Sequence, residues 1–441
     1  MCAGTSDPLG TEAALPLRPA LRLGGAVGDP CEDAMPQGAL NLTDVVNLAL
    51  CNNPQTRQVW ASSRVQAAQV GVSRGSYLPG VSLSASGNRD LPGTNQRSVG
   101  LTLSYLLFDF GSRAANLENA RQLLAAASAT QDSTVQAVFL LAVQAFYQTQ
   151  ATQAALDAAL ESERAAKESF AAAEARYLAG SATPADKLQA QTAYSQATLN
   201  RITADGNLKK TRGGLANIIG LDANLNVALA DTNAQAIPAS FDGDVNALIE
   251  LAKRLRPDLI AAAAQVKAAE ASADAARAAS KPSISLTAST IQTNGAGITS
   301  NGSSVGINLS VPLFSGFAPT YRIRAAEAQV EASQAQMERV RLQVALDVWN
   351  AYQNLITATQ SLRTTADLLN SAEQSERVAL GRYQAGVGSI LDVLNAQSAL
   401  ASARQQRIQS TFDWNVSRAT LAQAMGNLDE NLLQSMAPAA P

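Results

Sequence analysis

The side chains that most often carry out chemistry in proteins are scarce in this sequence. Its 441 residues include no histidine, so the commonest general base and the commonest metal ligand are both missing. The three cysteines, Cys2, Cys31 and Cys51, lack the paired spacing of a zinc site. No glycine-rich phosphate loop and no nucleophile elbow around a serine are found either. The sequence therefore argues against an enzyme and predicts no metal and no cofactor.

The cysteines leave structural roles open. Cys31 and Cys51 flank one short segment and could form a disulfide, or they could be two free buried thiols. A disulfide closing a loop of about twenty residues would contribute roughly 3 kcal/mol, given an oxidising compartment. No signal peptide is visible before Cys2, so an exported protein would have lost its targeting segment from this chain. Cys2 could then be the lipidated first residue of a processed lipoprotein, or an ordinary cysteine.

Charge and hydropathy exclude two further classes. Lysine and arginine number 33 and aspartate and glutamate 36, which gives a net charge of −3. Because there is no basic surplus, we expect no nucleic-acid partner. No apolar run reaches 18 residues, the length that would predict a transmembrane helix.

The chain repeats itself. "RYLAGSATPADKLQAQ" at 176–191 returns as "RYQAGVGSILDVLNAQ" at 382–397, and "SYLPGVSLSAS" at 76–86 as "ASKPSISLTAS" at 279–289. Such pairs keep their order, which indicates one unit of about 180–190 residues used twice, far too long for a solenoid repeat. The sequence predicts an N-terminal extension over 1–39, a first repeat over 40–220, a linker over 221–243, a second repeat over 244–426 and a tail over 427–441.

Each repeat has the same predicted order of elements: helix, two strands, long helix, sharp turn and return helix. Prolines end the first helix, alternating apolar residues indicate the strands, and an uninterrupted stretch with coiled-coil-like spacing indicates the long helix. The first repeat reads as a helix over 43–75, strands at about 80–88 and 98–108, a helix over 112–178, a turn at 179–183 and a helix over 184–219. The second reads as a helix over 244–280, strands at about 282–292 and 303–313, a helix over 318–384, a turn at 385–389 and a helix over 390–425.

The sharp turns carry helix-end signals. Gly180 and Gly386 can adopt the left-handed conformation that closes a helix. Thr183 and the serine at 389 stand where a return helix begins, each three residues before an aspartate, as in a capping box. The acids at these two positions are therefore expected to stabilise helix starts, whatever else they do.

The strands alternate apolar residues with Ser, Thr, Gly or Asn, as outer-membrane barrels do, although a soluble half-exposed sheet shows the same alternation. Four strands cannot close a barrel, and an open edge cannot stand in lipid. A membrane-embedded chain must therefore oligomerise, with eight strands in a dimer or twelve in a trimer. The alternative is a soluble structural protein of long coiled coils with a small sheet.

Over residues 40–426 the ordered set of motifs resembles the TolC family of outer-membrane efflux proteins. The motifs are "ALCNNP", "LPGVSLSAS", "LFDFG" and its counterpart "LFSG", and the two "RYxAG…D" turns. The resemblance implies a mainly α-helical homotrimer with a transmembrane twelve-stranded β-barrel that continues into a periplasmic α-helical barrel. It also implies a passive exit duct in the outer membrane of a Gram-negative bacterium, linked by a periplasmic adaptor to an inner-membrane pump.

The resemblance further implies a gate where the inner helix hairpins converge. Tyr383 matches the gate tyrosine, Asp392 the first aspartate of a three-fold carboxylate ring, and Asp186 its partner on the outer hairpin. Asn395 replaces the second aspartate, and Gly388 replaces an arginine. The resemblance thus leaves a Tyr383–Asp186 hydrogen bond as the latch, with helix capping alone as the alternative role of Asp186 and Asp392. It also implies weaker cation binding than in a double-aspartate ring.

The hairpin turns are expected to contact the adaptor through four residues: Gly180, Ser181, Gly386 and Gly388. The tips resemble those of ducts that serve type I secretion and multidrug efflux. Two substrate classes follow, a protein such as a toxin delivered by an ABC transporter, which we favour, or small drugs delivered by a proton-driven pump.

Overall fold

The computed structural model describes residues 7–11, 38–90, 94–225, 227–230, 244–295 and 298–427. In each half of the chain, two helices are followed by two strands and then by two further helices. The elements are α1 (Leu42–Asn52), α2 (Pro54–Gly75), β1 (Gly80–Asp90), β2 (Thr94–Phe108), α3 (Ser112–Leu178), α4 (Pro184–Ile218), α5 (Val245–Leu255), α6 (Pro257–Ala278), β3 (Ser283–Gly295), β4 (Ile298–Ser310), α7 (Ala318–Gln384) and α8 (Ile390–Ala424).

The first helix of each repeat differs from its prediction, because it is two helices. Asn53 separates α1 from α2 and has an extended backbone, with φ −62° and ψ 129°. Arg256 separates α5 from α6 in the same conformation, with φ −66° and ψ 123°. Both residues precede a proline, whose ring disfavours the helical conformation in the residue before it. Pro54 and Pro257 then begin the next helix, where the missing N–H costs nothing.

The four strands form one antiparallel sheet in the order β1-β2-β3-β4. The two hairpins run further than the alternation indicated, since β1 extends to Asp90 and β2 begins at Thr94. The two repeats meet where β2 pairs with β3, from Gln96 opposite Gly295 to Phe108 opposite Ile284. The edge strands β1 and β4 each have a neighbour on one side alone.

The described residues fall into two compact units. The first comprises the described residues within 1–17, 58–132 and 257–342 and contains the whole sheet. Its helices pack in a small apolar cluster around Ala67 and Ala120. In this unit α2 and α3 therefore contact each other through alanine, valine and leucine side chains.

The second unit comprises the described residues within 18–57, 133–256 and 343–441 and contains the turns of both helix hairpins. Its largest core surrounds Phe139 and Phe146, which contact α1 and the end of α4. Gly220 closes α4 with φ +79°, and an added Cβ there would lie 2.6 Å from the Cβ of Asn52. Only glycine allows this approach without displacement of α1. In the described part of the chain, none of the helices is long and apolar enough to cross a membrane.

Candidate functional site at the helix hairpins

Both hairpins turn by the same backbone device. Gly180 and Gly386 have φ +74° and +80°. The N–H of Ser181 donates to the carbonyl of Arg176 over 2.9 Å, and the N–H of Val387 donates to that of Arg382 over 3.0 Å. A left-handed glycine with such a six-to-one hydrogen bond satisfies carbonyls that a helix end would otherwise leave unpaired. The sequence therefore closes α3 and α7 at the same point of both repeats.

A capping box begins each return helix. The Thr183 N–H donates to Asp186 over 2.9 Å, and the Asp186 N–H donates to the Thr183 hydroxyl over 3.3 Å. Ser389 and Asp392 exchange the corresponding hydrogen bonds over 3.2 and 3.1 Å. The two aspartates thus hold the starts of α4 and α8, as the spacing of residues predicts.

These hydrogen bonds also set the charge of the two acids. The hydrogen bond from the Thr183 N–H lowers the pKa of Asp186, with help from the Thr183 hydroxyl. The hydrogen bond from the Ser389 N–H lowers the pKa of Asp392, and the charge of Arg382 lowers it further. Both carboxylates are therefore ionised at neutral pH in the single chain.

Tyr383 contacts a residue that the sequence did not single out. The guanidinium of Arg176, at the end of α3, lies 4.0 Å above the centre of the Tyr383 ring. Its Nη2 donates to the Tyr383 carbonyl over 2.6 Å, near the negative end of α7. Arg176 thus joins the first hairpin to the second through a cation–π contact and a charged hydrogen bond.

The predicted hydrogen bond between Tyr383 and Asp186 is not formed in the single chain. Asp186 is turned towards Thr183, and the Tyr383 ring is 6 % exposed in a cluster that includes Ile390 and Val393. The cluster also takes Ala173 and Ala190 from the first hairpin. The two hairpins are therefore held together by an apolar cluster that Arg176 covers.

The repeated positions have different surroundings. Tyr177, the counterpart of Tyr383, is 37 % exposed. Lys187 lies 5.6 Å above the Tyr177 ring and forms an ion pair with Glu174 over 2.8 Å. The second hairpin has Val393 at the position of Lys187, and this side chain is buried. The duplicated motif thus yields a solvated first tip and a buried tyrosine in the second.

Gly388 has a steric role where the resemblance implied a lost arginine. A Cβ at this position would lie 3.0 Å from the Tyr383 nitrogen and 3.1 Å from the Arg382 Cβ. Real Cβ atoms seldom approach backbone so closely, so any side chain here would have to displace the turn. Asn395 and Asp392 are both exposed on the first turns of α8, where other molecules can reach them.

A second feature lies in the sheet. One face carries apolar side chains that are exposed in the single chain, among them Leu83 at 73 %, Val305 at 78 % and Ile307 at 70 %. The register places them together, with Val81 opposite Leu103 and Leu286 opposite Ile307. An exposed apolar patch of this extent indicates contact with lipid or with another protein.

The opposite face of the sheet is polar, and its side chains bond to one another. The hydroxyls of Ser86 and Ser98 lie 2.7 Å apart and those of Ser289 and Ser304 lie 2.9 Å apart. The sheet thus has the two-sided pattern of a barrel wall with lipid outside and water inside.

Of the three cysteines considered from the sequence, Cys51 lies among the described residues. Cys51, on α1, is disulfide-bonded. Cys31 and Cys2 lie outside the described residues. Among those residues no group of histidine, cysteine or acidic side chains is arranged to hold a metal ion.

Comparisons with known proteins identify the class. Residues 45–221 and 248–427 match the model of the outer membrane efflux protein family, and the chain belongs to that family. Protein CyaE of Bordetella pertussis is 31 % identical over 412 residues, which cover 90 % of this chain and 86 % of CyaE.

Solved structures share the fold. The Campylobacter jejuni CmeC outer membrane channel superposes with a TM-score of 0.79 at 20 % identity, over 88 % of this chain and 85 % of CmeC. The open state of the Neisseria gonorrhoeae MtrE outer membrane channel gives 0.74 at 20 % identity, over 94 % of this chain and 98 % of MtrE. The chain thus has the mainly helical fold with a few strands of an outer-membrane efflux channel. This family consists of passive channels of Gram-negative outer membranes that work with adaptors and inner-membrane pumps.

Proposed function

We propose that three copies of this chain form one duct, with a twelve-stranded barrel in the outer membrane and an α-helical barrel in the periplasm. The observation that carries this proposal is the four-stranded sheet, with one apolar exposed face and two edge strands. In lipid, those edges must pair with other copies, because unpaired backbone groups are too costly there. The family resemblance favours three copies over two.

The two hairpins of each copy form the periplasmic entrance in this proposal. The turns at Gly180, Ser181, Gly386 and Gly388 face the adaptor, and three Asp392 carboxylates converge on the axis. Support comes from the exposure of Asp392 and Asn395 on α8. Converging carboxylates repel one another, so assembly would raise at least one pKa that the capping box of the single chain lowers.

Arg176 holds the inner hairpin to the outer one within each copy. It takes the place of the Tyr383–Asp186 latch that the family resemblance implied. The support is its joint contact with the ring and the carbonyl of Tyr383. Opening of the entrance would therefore require this contact to break or to move with both hairpins.

The cargo that we favour is a polypeptide, delivered by an ABC transporter of a type I secretion system. Both tips resemble those of ducts that serve type I secretion and multidrug efflux, which supports a cargo of either kind. The alternative is efflux of small drugs delivered by a proton-driven pump, because one duct can serve either system. The soluble coiled-coil protein considered from the sequence is not supported, since the chain belongs to an outer-membrane family.

A deletion strain of the source bacterium, complemented with the wild-type gene, separates these cargos. We expect specific polypeptides to disappear from the culture medium, by quantitative mass spectrometry, while inhibitory drug concentrations stay unchanged. Increased drug sensitivity with an intact secretome would establish the alternative. A strain unchanged in both measurements would contradict an export duct.

A further inference from the structure

Two arginines continue the apolar face of the sheet towards the β1–β2 turn. On β2 the side chains that share this face are Val99, Leu101, Leu103 and Tyr105, followed after a bulge by Phe108, which stands opposite Ile284. The same alternation, two residues further along, brings Arg97 to that face. On β1 the alternation of Val81, Leu83 and Ala85 brings Arg89 to it. The apolar face therefore ends in two positive charges.

The register leaves room around this pair. Arg97 stands opposite Gly87, which has no side chain, and opposite Asn294 on β3. Arg89 stands opposite Asn95, so the two arginines are diagonal neighbours, roughly 7–8 Å apart between backbones. Both are exposed, and neither forms an ion pair within the described side chains, which do not include that of Asp90.

The distance along the sheet from its helix end to the two arginines matches the thickness of the apolar layer of an outer membrane. From Phe108, opposite Ile284, to Arg97, opposite Asn294, the ladder has ten steps, or roughly 34 Å at about 3.4 Å each. At a barrel tilt of about 40° this spans roughly 26 Å across the membrane, close to the apolar band of about 25 Å in outer-membrane barrels. The strands begin and end at helices α2 and α3, so the arginines lie at the opposite, outer boundary.

The second hairpin has no such pair. The corresponding end of β3 and β4 carries Asn294 and Thr299, whose side chains bond to each other over 3.0 Å. The positive charge therefore belongs to the first hairpin, once per chain. Guanidinium groups are well matched to phosphate oxygens, which they bind through paired hydrogen bonds.

We propose that Arg89 and Arg97 bind the phosphate of an anionic lipid headgroup in the outer leaflet. The inference rests on the proposed function, since it requires the sheet to stand in the membrane with its apolar face towards lipid. Each chain then carries one lipid site, and an assembled trimer carries three.

Native mass spectrometry of the full-length channel tests this proposal. The protein is released from micelles with dioleoyl phosphatidylglycerol, or with dioleoyl phosphatidylcholine, which has the same acyl chains and no net charge. We expect phosphatidylglycerol to be retained preferentially by the wild type. The Arg89→Gln/Arg97→Gln variant should lose roughly tenfold to thirtyfold of that affinity. Arg89→Lys/Arg97→Lys should keep part of it, because the charge remains.

Arg339→Gln/Arg341→Gln on α7 is the matched control, since it removes the same charge from exposed positions outside the sheet. Equal retention of both lipids by the wild type, or equal loss in the control, would overturn the proposal. Excess inorganic phosphate separates a free anion site from a lipid site. Arg-dependent stabilisation by phosphate alone, with no lipid preference, would also overturn it. Channel current from the same sample tests the proposed function separately. A wild type that conducts but shows no lipid preference would contradict the lipid site and leave the proposed function standing.

Discussion

Removal of the Arg176 side chain should loosen the entrance of the channel. The Arg176→Ala change deletes a guanidinium 4.0 Å above the Tyr383 ring and a hydrogen bond of 2.6 Å to its carbonyl. A cation–π contact at a partly exposed site contributes about 0.5–1 kcal/mol, and a charged hydrogen bond about 1.5–3 kcal/mol. Solvent reaches Arg176, which is half-buried, so we take roughly 1.5–3 kcal/mol for the pair.

If opening separates the two hairpins, this free energy stabilises the closed state alone. Loss of this free energy would raise the equilibrium constant for opening by roughly 10- to 150-fold for each chain that carries the substitution. Single-channel recording in planar bilayers measures this ratio as open probability and as the mean conductance at low voltage. Arg176→Lys should fall between the wild type and Arg176→Ala, since it keeps the charge and loses the planar fork.

Arg382→Ala is the matched control for this experiment. Arg382 has the same place in the second repeat, but it is exposed. We expect a smaller change, limited to the electrostatic effect on Asp392. Unchanged gating in Arg176→Ala, in a protein that assembles as the wild type does, would refute the assigned role.

Three further predictions concern the stability of the chain. Gly388→Ala should lower the melting temperature, because its Cβ would meet backbone at 3.0 Å, whereas Gly381→Ala, with nothing within 4 Å, should be neutral or stabilising. The pKa of Asp392 is lowered by folding, so its stabilising effect is present above the ordinary aspartate pKa and is lost as pH falls through the folded value. In the unassembled chain, the protection of second-tip amides against hydrogen exchange, relative to their intrinsic rates, should therefore fall below about pH 4, and Asp392→Asn should abolish that dependence. Cys51→Ser should reduce stability towards urea by about 2–4 kcal/mol under oxidising conditions and have no effect under reducing conditions. Equal melting temperatures of Gly388→Ala and the wild type would contradict the first prediction. The same pH dependence of exchange in Asp392→Asn and the wild type would contradict the second. Equal urea midpoints of Cys51→Ser and the wild type under oxidising conditions would contradict the third.

Local signals made most of the helical architecture predictable. Left-handed glycines and capping residues located both tips. The absence of proline and glycine located α3, and the coiled-coil-like spacing located α7, each of 67 residues. The breaks at Asn53 and Arg256 were also visible as residues before proline. One helix is predicted across each break because the helical pattern of alanines resumes on the other side. Helix periodicity alone does not reveal a break of one residue after which the helical pattern continues.

The contact of Arg176 with Tyr383 could not be read from sequence spacing. The two residues are separated by 207 positions, and their pairing depends on how two hairpins pack. The repeat was in fact misleading, because it gives Arg176 and Arg382 the same local motif and therefore the same expected role. Their difference arises from residues that vary between the repeats, such as Lys187 and the buried Val393. Tertiary packing, rather than local pattern, decides which tyrosine is buried.

The reversal potential of single channels in a salt gradient tests the central claim most directly. If three chains form one pore whose entrance is lined by Asp392, the purified wild type should conduct and should select for cations. Asp392→Ala should then lose most of that selectivity while the trimer persists in native mass spectra. A channel with the same reversal potential in both proteins would contradict the placement of Asp392 at the entrance. The absence of current from membrane-inserted wild-type protein would contradict the duct itself.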